Sequence, residues 1–114
     1  MYNIKVSKLY DADVDSCYDY INDTLKNPIA AENLIKNILE ALLKISENPI
    51  IRPLVRDEFL ARLGYRLINV KNYMIFYIID EPNNYLKIVR FLYAKRDWMN
   101  ILKENTVEEL FEEN

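Results

Sequence analysis

The sequence predicts an α+β fold: an N-terminal strand, an antiparallel helical hairpin packed on a mainly antiparallel four-stranded sheet, and a short C-terminal helix. Three observations predict this class. The first residues alternate apolar and polar side chains, as a strand does. Two long apolar stripes of helical period follow, separated by Asn27-Pro28. Three runs rich in Ile, Val, Tyr and Phe then alternate with short turns.

The N-terminal half supplies the first strand and both long helices. Residues 2–7 form the predicted strand, and a first helix begins near Lys8. Asn27 is a good N-cap and Pro28 suits the first turn of a second helix, which stops near Asn48-Pro49. With almost no linker between them, the helices fold back as a hairpin. The apolar stripes are Tyr10, Val14, Cys17, Tyr18, Ile21 and Leu25, then Ala31, Leu34, Ile35, Ile38, Leu39, Leu42 and Ile45.

The C-terminal half supplies the rest of the sheet. Residues 49–61 contain two prolines and no clean period, which predicts a connection without regular structure. Strands are predicted over residues 62–70, 74–80 and 86–93, with turns at 71–72 and 81–84. A helix that starts at Asp97 follows. Residues 1–103 are expected to form one domain, and residues 104–114 an acidic C-terminal tail.

Composition limits the chemistry. The 114 residues include no histidine and a single cysteine, Cys17, which lies in the first helical stripe and is expected to pack in the core. No metal site and no cofactor motif is predicted, and reactions would have to use Arg, Lys, Tyr, Asp or Glu. No apolar stretch is long enough to span a membrane, and the N-terminus is unlike a signal peptide. We therefore expect a cytoplasmic protein without a membrane partner.

Charge is distributed unevenly along the chain. The net charge is −3, but residues 52–103 carry +5 and residues 104–114 carry −5. A basic middle segment can form a local anion-binding surface in a protein that is acidic overall. An ordinary mixed surface that binds no anion would give the same segment charges.

The middle strand of the meander is apolar on both faces. Met74, Phe76 and Ile78 alternate with Ile75, Tyr77 and Ile79. A helical hairpin covers only one face of a sheet, and the acidic tail is too polar to cover the whole of the other. We therefore expect a partner to cover the second face.

Several segments resemble the RelE/ParE superfamily of bacterial toxins from type II toxin–antitoxin modules. They are PLVRDEFLA before the sheet, GYRLINVKNYMIFYIID and YLKIVRFLYAKRDW. The meander contains the family's Y-x-x-x-Y run as Tyr73 to Tyr77 and its R-D-W ending as Arg96-Asp97-Trp98. The resemblance covers residues 2–103. It implies the fold predicted above and a growth-inhibiting toxin that binds a cognate antitoxin, with a higher-order toxin–antitoxin assembly.

RelE-like members cleave mRNA on the ribosome without a metal. Such cleavage requires removal of the 2′-hydroxyl proton, fixed positive charge at the phosphate and a proton for the leaving oxygen. The resemblance implies catalytic roles for Arg96, Arg66 and Tyr93, with Tyr93 as the proton donor. It implies substrate binding by the remaining basic residues of the sheet and its end, Lys71, Arg90 and Lys95.

One position departs from the nuclease pattern. RelE-like nucleases place an arginine directly after the aromatic residue that Tyr73 matches, and here that position is Met74. ParE-like members share the fold but inhibit DNA gyrase without catalysis. Ribosome-dependent mRNA cleavage is the first hypothesis, gyrase inhibition the alternative, and a non-toxic member that only binds antitoxin the third.

Several of these basic residues have alternatives to a site role. Arg66 and Lys71 could form a solvated edge of the sheet, and structural roles are the alternatives for two further arginines. Arg90 lies on the last strand, where it could pair with Asp80. Arg96 and Asp97 could form a salt bridge at a helix cap.

Overall fold

The computed structural model describes residues 1–112 and confirms the predicted α+β class. The sheet has the strand order β1-β4-β3-β2. β1 runs parallel to β4, and the other neighbours are antiparallel. The strands are β1 (Asn3–Val6), β2 (Arg66–Val70), β3 (Tyr73–Asp80) and β4 (Tyr85–Tyr93). The helices are α1 (Lys8–Asp19), α2 (Pro28–Glu47), α3 (Glu58–Arg62), α4 (Trp98–Lys103) and α5 (Val107–Leu110).

The helical hairpin forms as predicted. Ser7 caps α1 by accepting a hydrogen bond from the Tyr10 amide. The helix continues into a π-helical turn, Tyr20–Thr24, before the chain reverses. Asn27 caps α2 by accepting a hydrogen bond from the Ala30 amide at 3.1 Å, with Pro28 in the first turn. The predicted start of the second helix is therefore confirmed.

The buried face of α2 is narrower than the predicted stripe. Leu39 was expected in the core, but it is exposed. Successive helical residues are 100° apart, so Leu39 points well away from the buried Ile38. Ala41, which the stripe omitted, is buried because its small side chain lies on the face towards the sheet. The fully or nearly buried residues of α2 are Ala31, Leu34, Ile38, Ala41, Ile45 and Ser46.

The connection between α2 and the meander contains more regular structure than predicted. Pro49–Ile51 form a 3₁₀ turn, and α3 begins at the N-cap Asp57, whose Oδ1 accepts a hydrogen bond from the Leu60 amide. A helix of five residues is too short to show an apolar period, which explains why the sequence did not predict it. Because α3 extends to Arg62 and the chain then turns through Gly64 at a φ of 93°, the predicted strand 62–70 begins only at Arg66.

The sheet separates two apolar cores. Ile75 and Tyr77 of β3 belong to the core under the helical hairpin, and the partly buried Ile79 packs against it. Met74 and Phe76 lie in the second core, on the opposite face, and Ile78 packs against it. The alternation predicted for the middle strand is therefore confirmed.

The expectation that a partner covers the second face is wrong, because the chain covers that face itself. Leu60 of α3 and Leu102 of α4 are buried there, and the Trp98 ring stacks on Phe76 with centroids 5.2 Å apart. Val107, Leu110 and Phe111 also pack against this core.

The cover includes part of the predicted acidic tail. α5 begins with a capping box, in which the Thr106 and Glu109 side chains each accept a hydrogen bond from the other's amide. Tail residues 113–114 lie outside the described residues. Within residues 1–112, no helix combines the length and apolar character that a membrane span requires.

Candidate functional site

The structure brings two of the predicted catalytic residues together. Tyr93, the last residue of β4, and Arg96, three residues later, line one groove of about 380 Å³ between α1 and the end of the sheet. We call this the tyrosine groove. Its lining residues are Ala12, Asp13, Ser16, Cys17, Tyr20, Tyr73, Phe91, Tyr93 and Arg96.

Aromatic rings form much of this groove. The Tyr73 ring stacks on Phe91 with centroids 4.9 Å apart and an interplanar angle of 16°. It meets Tyr93 edge-on, with centroids 5.7 Å apart. These contacts follow from strand register, which places Tyr73 directly opposite Tyr93. Tyr20, the first residue of the π-helical turn, is exposed and lines the groove from the helical side.

The turn after β4 positions Arg96. The Arg96 amide donates to the Tyr93 carbonyl at 3.0 Å, and the Trp98 amide donates to the Arg96 carbonyl at 2.8 Å. Because Trp98 is anchored in the second core, the backbone is fixed on both sides of Arg96.

The Arg96 side chain itself is exposed, and it has no carboxylate partner within residues 1–112. The alternative salt bridge with Asp97 is not formed. Asp97 Oδ2 instead accepts a hydrogen bond from Asn100 Nδ2 at 2.6 Å. Asp97 does occupy the N-cap position of α4, as predicted, although its side chain caps no amide.

Tyr73 is a neutral group at physiological pH. Burial, followed by a hydrogen bond with Cys17, raises the pKa of Tyr73 to about 12. A phenol with this pKa keeps its proton and is a poor general base. The groove therefore offers an exposed cation beside aromatic surface, a combination that binds an anionic group next to an apolar or planar one.

Arg90 lies in a different environment. Its Nε and Nη2 donate to Asp13 at 2.7 and 2.8 Å, and both side chains are largely buried, with exposures of 11% and 13%. The partner is Asp13 and not Asp80, which is bound by Lys87 and Asn83 instead. Hydrogen bonding to Asp13 raises the pKa of Arg90 above its ordinary value.

Sequence reasoning missed this role of Asp13. β1 ends at Val6, so the edge of β4 beyond Ile88 has no neighbouring strand. Asp13 occupies that position, where it also accepts a hydrogen bond from the Phe91 amide at 3.1 Å. Three aspartates near the start of α1 indicated only favourable interaction with the helix dipole. Nothing in their spacing distinguished the one that reaches the strand edge.

Arg66 is held at the other end of the sheet. Its Nη1 donates to the Arg52 carbonyl at 2.6 Å, while Arg52 Nε donates to the Leu67 carbonyl. Arg66 and Val70 are the two ends of β2, so they lie roughly 13 Å apart along the strand. Since Val70 pairs with Tyr73, Arg66 is remote from the tyrosine groove.

The remaining predicted residues are also dispersed. Lys71 adopts a φ of 55° in the β2–β3 turn and lines a separate groove of about 460 Å³, together with Lys44 and Arg52. Lys95 is exposed beside Arg96. Met74 is only 6% exposed and packs in the second core. Within residues 1–112, no three Cys, Asp or Glu side chains form a metal-binding group.

An N-terminal strand, a helical hairpin and a three-strand meander, in this order and around this sheet, match the RelE/ParE-like fold that the sequence predicts. Residues 4–98 match the family model for the ParE toxin of the type II toxin-antitoxin system, parDE. The chain therefore belongs to the ParE toxin family. No curated protein matches it significantly.

Solved structures share the fold. A chain of the chromosomal ParDE toxin–antitoxin system of P. aeruginosa is similar with a TM-score of 0.66 and 18% identity, over 83% of this chain and 98% of that one. A chain of the RelBE2 complex of Mycobacterium tuberculosis gives 0.56 and 16%, over 81% and 96%. A metal-bound toxin from Helicobacter pylori gives 0.59 and 18%, over 82% and 94%.

Proposed function

We propose that this chain is a growth-inhibiting toxin that binds DNA gyrase and does not cleave RNA. One observation carries the proposal: the residues predicted for catalysis do not converge. Arg66 is at the far end of β2, Arg90 is neutralised by Asp13, and only Arg96 and Tyr93 share a groove. RNA cleavage without a metal needs several fixed charges around one phosphate.

The position after Tyr73 supports the same proposal. RelE-like nucleases carry an arginine there, and in this chain Met74 is buried in the second core. A larger charged group at this position would have to displace core side chains. The position that contributes charge in the nucleases therefore contributes packing here.

The tyrosine groove is the surface that we assign to the target. Exposed tyrosines and arginines are enriched among residues that dominate protein–protein binding energy. Tyr20, Tyr93 and Arg96 are such residues, and the rigid turn before Trp98 keeps Arg96 in place. A preorganised cation loses little entropy when an acidic residue of the target pairs with it.

A second candidate function is ribosome-dependent mRNA cleavage, and one observation favours it. Tyr93 and Arg96 do lie in one groove, so a proton donor and a cation would be available together. The groove lacks a general base, because Tyr73 stays protonated and Asp13 is engaged by Arg90.

An antitoxin is the second protein partner that we propose. The structures from P. aeruginosa and M. tuberculosis are those of toxin–antitoxin systems. Because the second face of the sheet is already covered, the antitoxin is expected to bind elsewhere, with an acidic residue paired to Arg96. The cytoplasm is the compartment in which such a toxin would meet gyrase or ribosomes.

Induced expression separates the mechanisms. Plasmid topology gels and primer extension on mRNA are run on the same cultures, with Arg96→Ala and Lys95→Ala variants alongside. Altered supercoiling or trapped gyrase cleavage complexes with intact mRNA are expected. Cleaved mRNA with normal topology would establish the second candidate instead, and unimpaired growth would identify a non-toxic member.

A further inference from the structure

A second groove lies between α2 and β2, the strand at the edge of the sheet. We call it the edge groove. Its volume of about 460 Å³ is in the range of small-molecule binding sites. Buried apolar side chains form its base, with Ala41 from α2 and Ile68 and Val70 from β2. The edge groove therefore has two walls of regular structure and an apolar floor.

The charged residues that line the edge groove are three cations and one carboxylate. Lys44, Arg52 and Lys71 are the cations and Glu40 is the carboxylate, which leaves a net charge of +2. Glu40 and Lys44 are one helical turn apart, yet within residues 1–112 neither they nor the other two cations form an ion pair. An excess of positive charge around a concave surface attracts anions.

Arg52 is held in place through both its side chain and its backbone. Its Nε donates to the Leu67 carbonyl at 3.2 Å, and its carbonyl accepts a hydrogen bond from Arg66 Nη1 at 2.6 Å. Lys71 follows Leu67 by four residues, so these two residues lie roughly 13 Å apart along the edge of the sheet. The cations therefore surround a length of groove that suits several linked anionic groups better than a single one.

An apolar compartment continues the edge groove along α2. It has a volume of about 240 Å³, and Asn37 and Lys71 line both spaces. Ile21, Leu34 and Tyr73 supply aliphatic and aromatic surface there. The amide of Asn37 offers both a donor and an acceptor to the edge of a flat heterocycle. Together the two spaces combine anion binding with a compartment for a planar, largely apolar group.

We propose that the edge groove binds a free nucleoside polyphosphate. The phosphates lie among Lys44, Arg52 and Lys71, and the base enters the apolar compartment past Lys71. This class of ligand joins linked anions to a planar ring in one molecule, which matches the order of the two spaces. An acidic peptide would pair with the same cations but would leave the apolar compartment empty. The site shares only Tyr73 with the tyrosine groove, so nucleotide binding does not depend on which target the toxin inhibits.

Fluorescence titration of the full chain tests the proposal, with the chain made by cell-free synthesis and freed of nucleotides by gel filtration. The probe is ATP that carries a methylanthraniloyl group on its ribose, and saturable binding with a Kd on the order of 100 µM is expected. ATP should displace the probe at least about fivefold better than tripolyphosphate, because only ATP fills the apolar compartment. Absence of saturable binding would overturn the proposal. Tripolyphosphate, hexaglutamate or a single-stranded oligonucleotide that displaces the probe as well as ATP would also overturn it, since each would assign the groove to another anion.

Variants separate the edge groove from general surface charge. Lys44→Gln should raise the Kd about fivefold because it removes an unpaired cation, and Lys71→Gly should do the same while tolerating the φ of 55°. Glu40→Gln should lower the Kd about threefold, since it removes the repelling carboxylate. Lys36→Gln is the matched control, at an exposed lysine of α2 outside the groove, and should change the Kd by less than about twofold. Equal effects of Lys44→Gln and Lys36→Gln, or a Glu40→Gln protein that binds no tighter, would overturn the proposal.

Discussion

Two arginines six residues apart have opposite surroundings. Arg90 is buried on β4 with its guanidinium held by Asp13, and Arg96 is exposed in the following turn without a carboxylate partner in residues 1–112. The difference arises at the edge of the sheet. At Arg90 the open edge of β4 faces α1, which supplies a carboxylate, whereas at Arg96 the chain has left the sheet. Within one basic segment, therefore, one cation stabilises the fold and the other remains available to a ligand.

The largest effect on the free energy of unfolding is expected when an arginine is introduced into the second core. Met74→Arg buries a charge in the second core, among apolar and aromatic side chains such as Phe76, Leu92 and Trp98. An unpaired buried charge should cost on the order of 4 kcal/mol or more of the free energy of unfolding. The variant should be insoluble or unfold at much lower urea. Met74→Leu, which keeps the volume, should cost less than about 1.5 kcal/mol.

A stable, soluble Met74→Arg protein would show that the second core can open at this position. Primer extension on mRNA would then test whether the introduced arginine confers RNA cleavage. Cleavage by that variant would support the nuclease interpretation of the family position.

Removing the partner of Arg90 gives the next largest effect. Asp13→Ala leaves a buried guanidinium and the Phe91 amide without their acceptor. We expect a loss of about 3 kcal/mol, measured by urea unfolding at neutral pH. Asp11→Ala, two residues earlier on the exposed side of α1, should change stability by less than about 0.5 kcal/mol. Equal effects at the two positions would mean that the ion pair does not stabilise the fold.

Four tyrosines that are buried or half-buried contrast with Arg90, because they are buried as neutral groups and Arg90 as a paired charge. Burial raises the pKa of Tyr10, Tyr65, Tyr73 and Tyr77 from 10.0 to about 12. The unfolded chain loses these protons near pH 10 and the folded chain near pH 12. Their contribution to stability is therefore complete below about pH 10 and is lost as the pH rises towards 12.

Urea midpoints measured at about pH 9, 10 and 11 should fall along this series. Tyr10→Phe removes one titrating group and should make the decrease shallower. A midpoint that is independent of pH across this range would contradict the assignment of these tyrosines as buried and neutral.

Long periodic elements of this fold were predictable, and the contacts that define the site were not. The capping residue Asn27, the N-cap position at Asp97 and the alternation along β3 are local signals. They predicted α2, the start of α4 and the two faces of the sheet. α3 was missed because five residues show no period.

The pairing of Arg90 depends on where β1 ends relative to β4, which is a tertiary fact that no local pattern contains. The cover of the second face depends on Trp98 and Leu102 reaching across the sheet. The resemblance to a family predicted site roles for Arg96, Arg90 and Arg66 alike, and only the geometry distinguishes the three arginines.

Arg96→Ala should have the smallest effect on stability and separates the two arginines most clearly. The side chain is exposed, so its removal should change the free energy of unfolding by less than about 0.5 kcal/mol. Growth inhibition should nevertheless be lost, because the cation of the tyrosine groove is gone. Lys95, predicted from the resemblance to bind substrate, is exposed but does not line the tyrosine groove, so Lys95→Ala should retain toxicity. The measurements are urea unfolding and colony counts after induction, at matched protein levels. A fully toxic Arg96→Ala protein would place the target contact outside the tyrosine groove, and a destabilised one would make Arg96 a structural residue like Arg90.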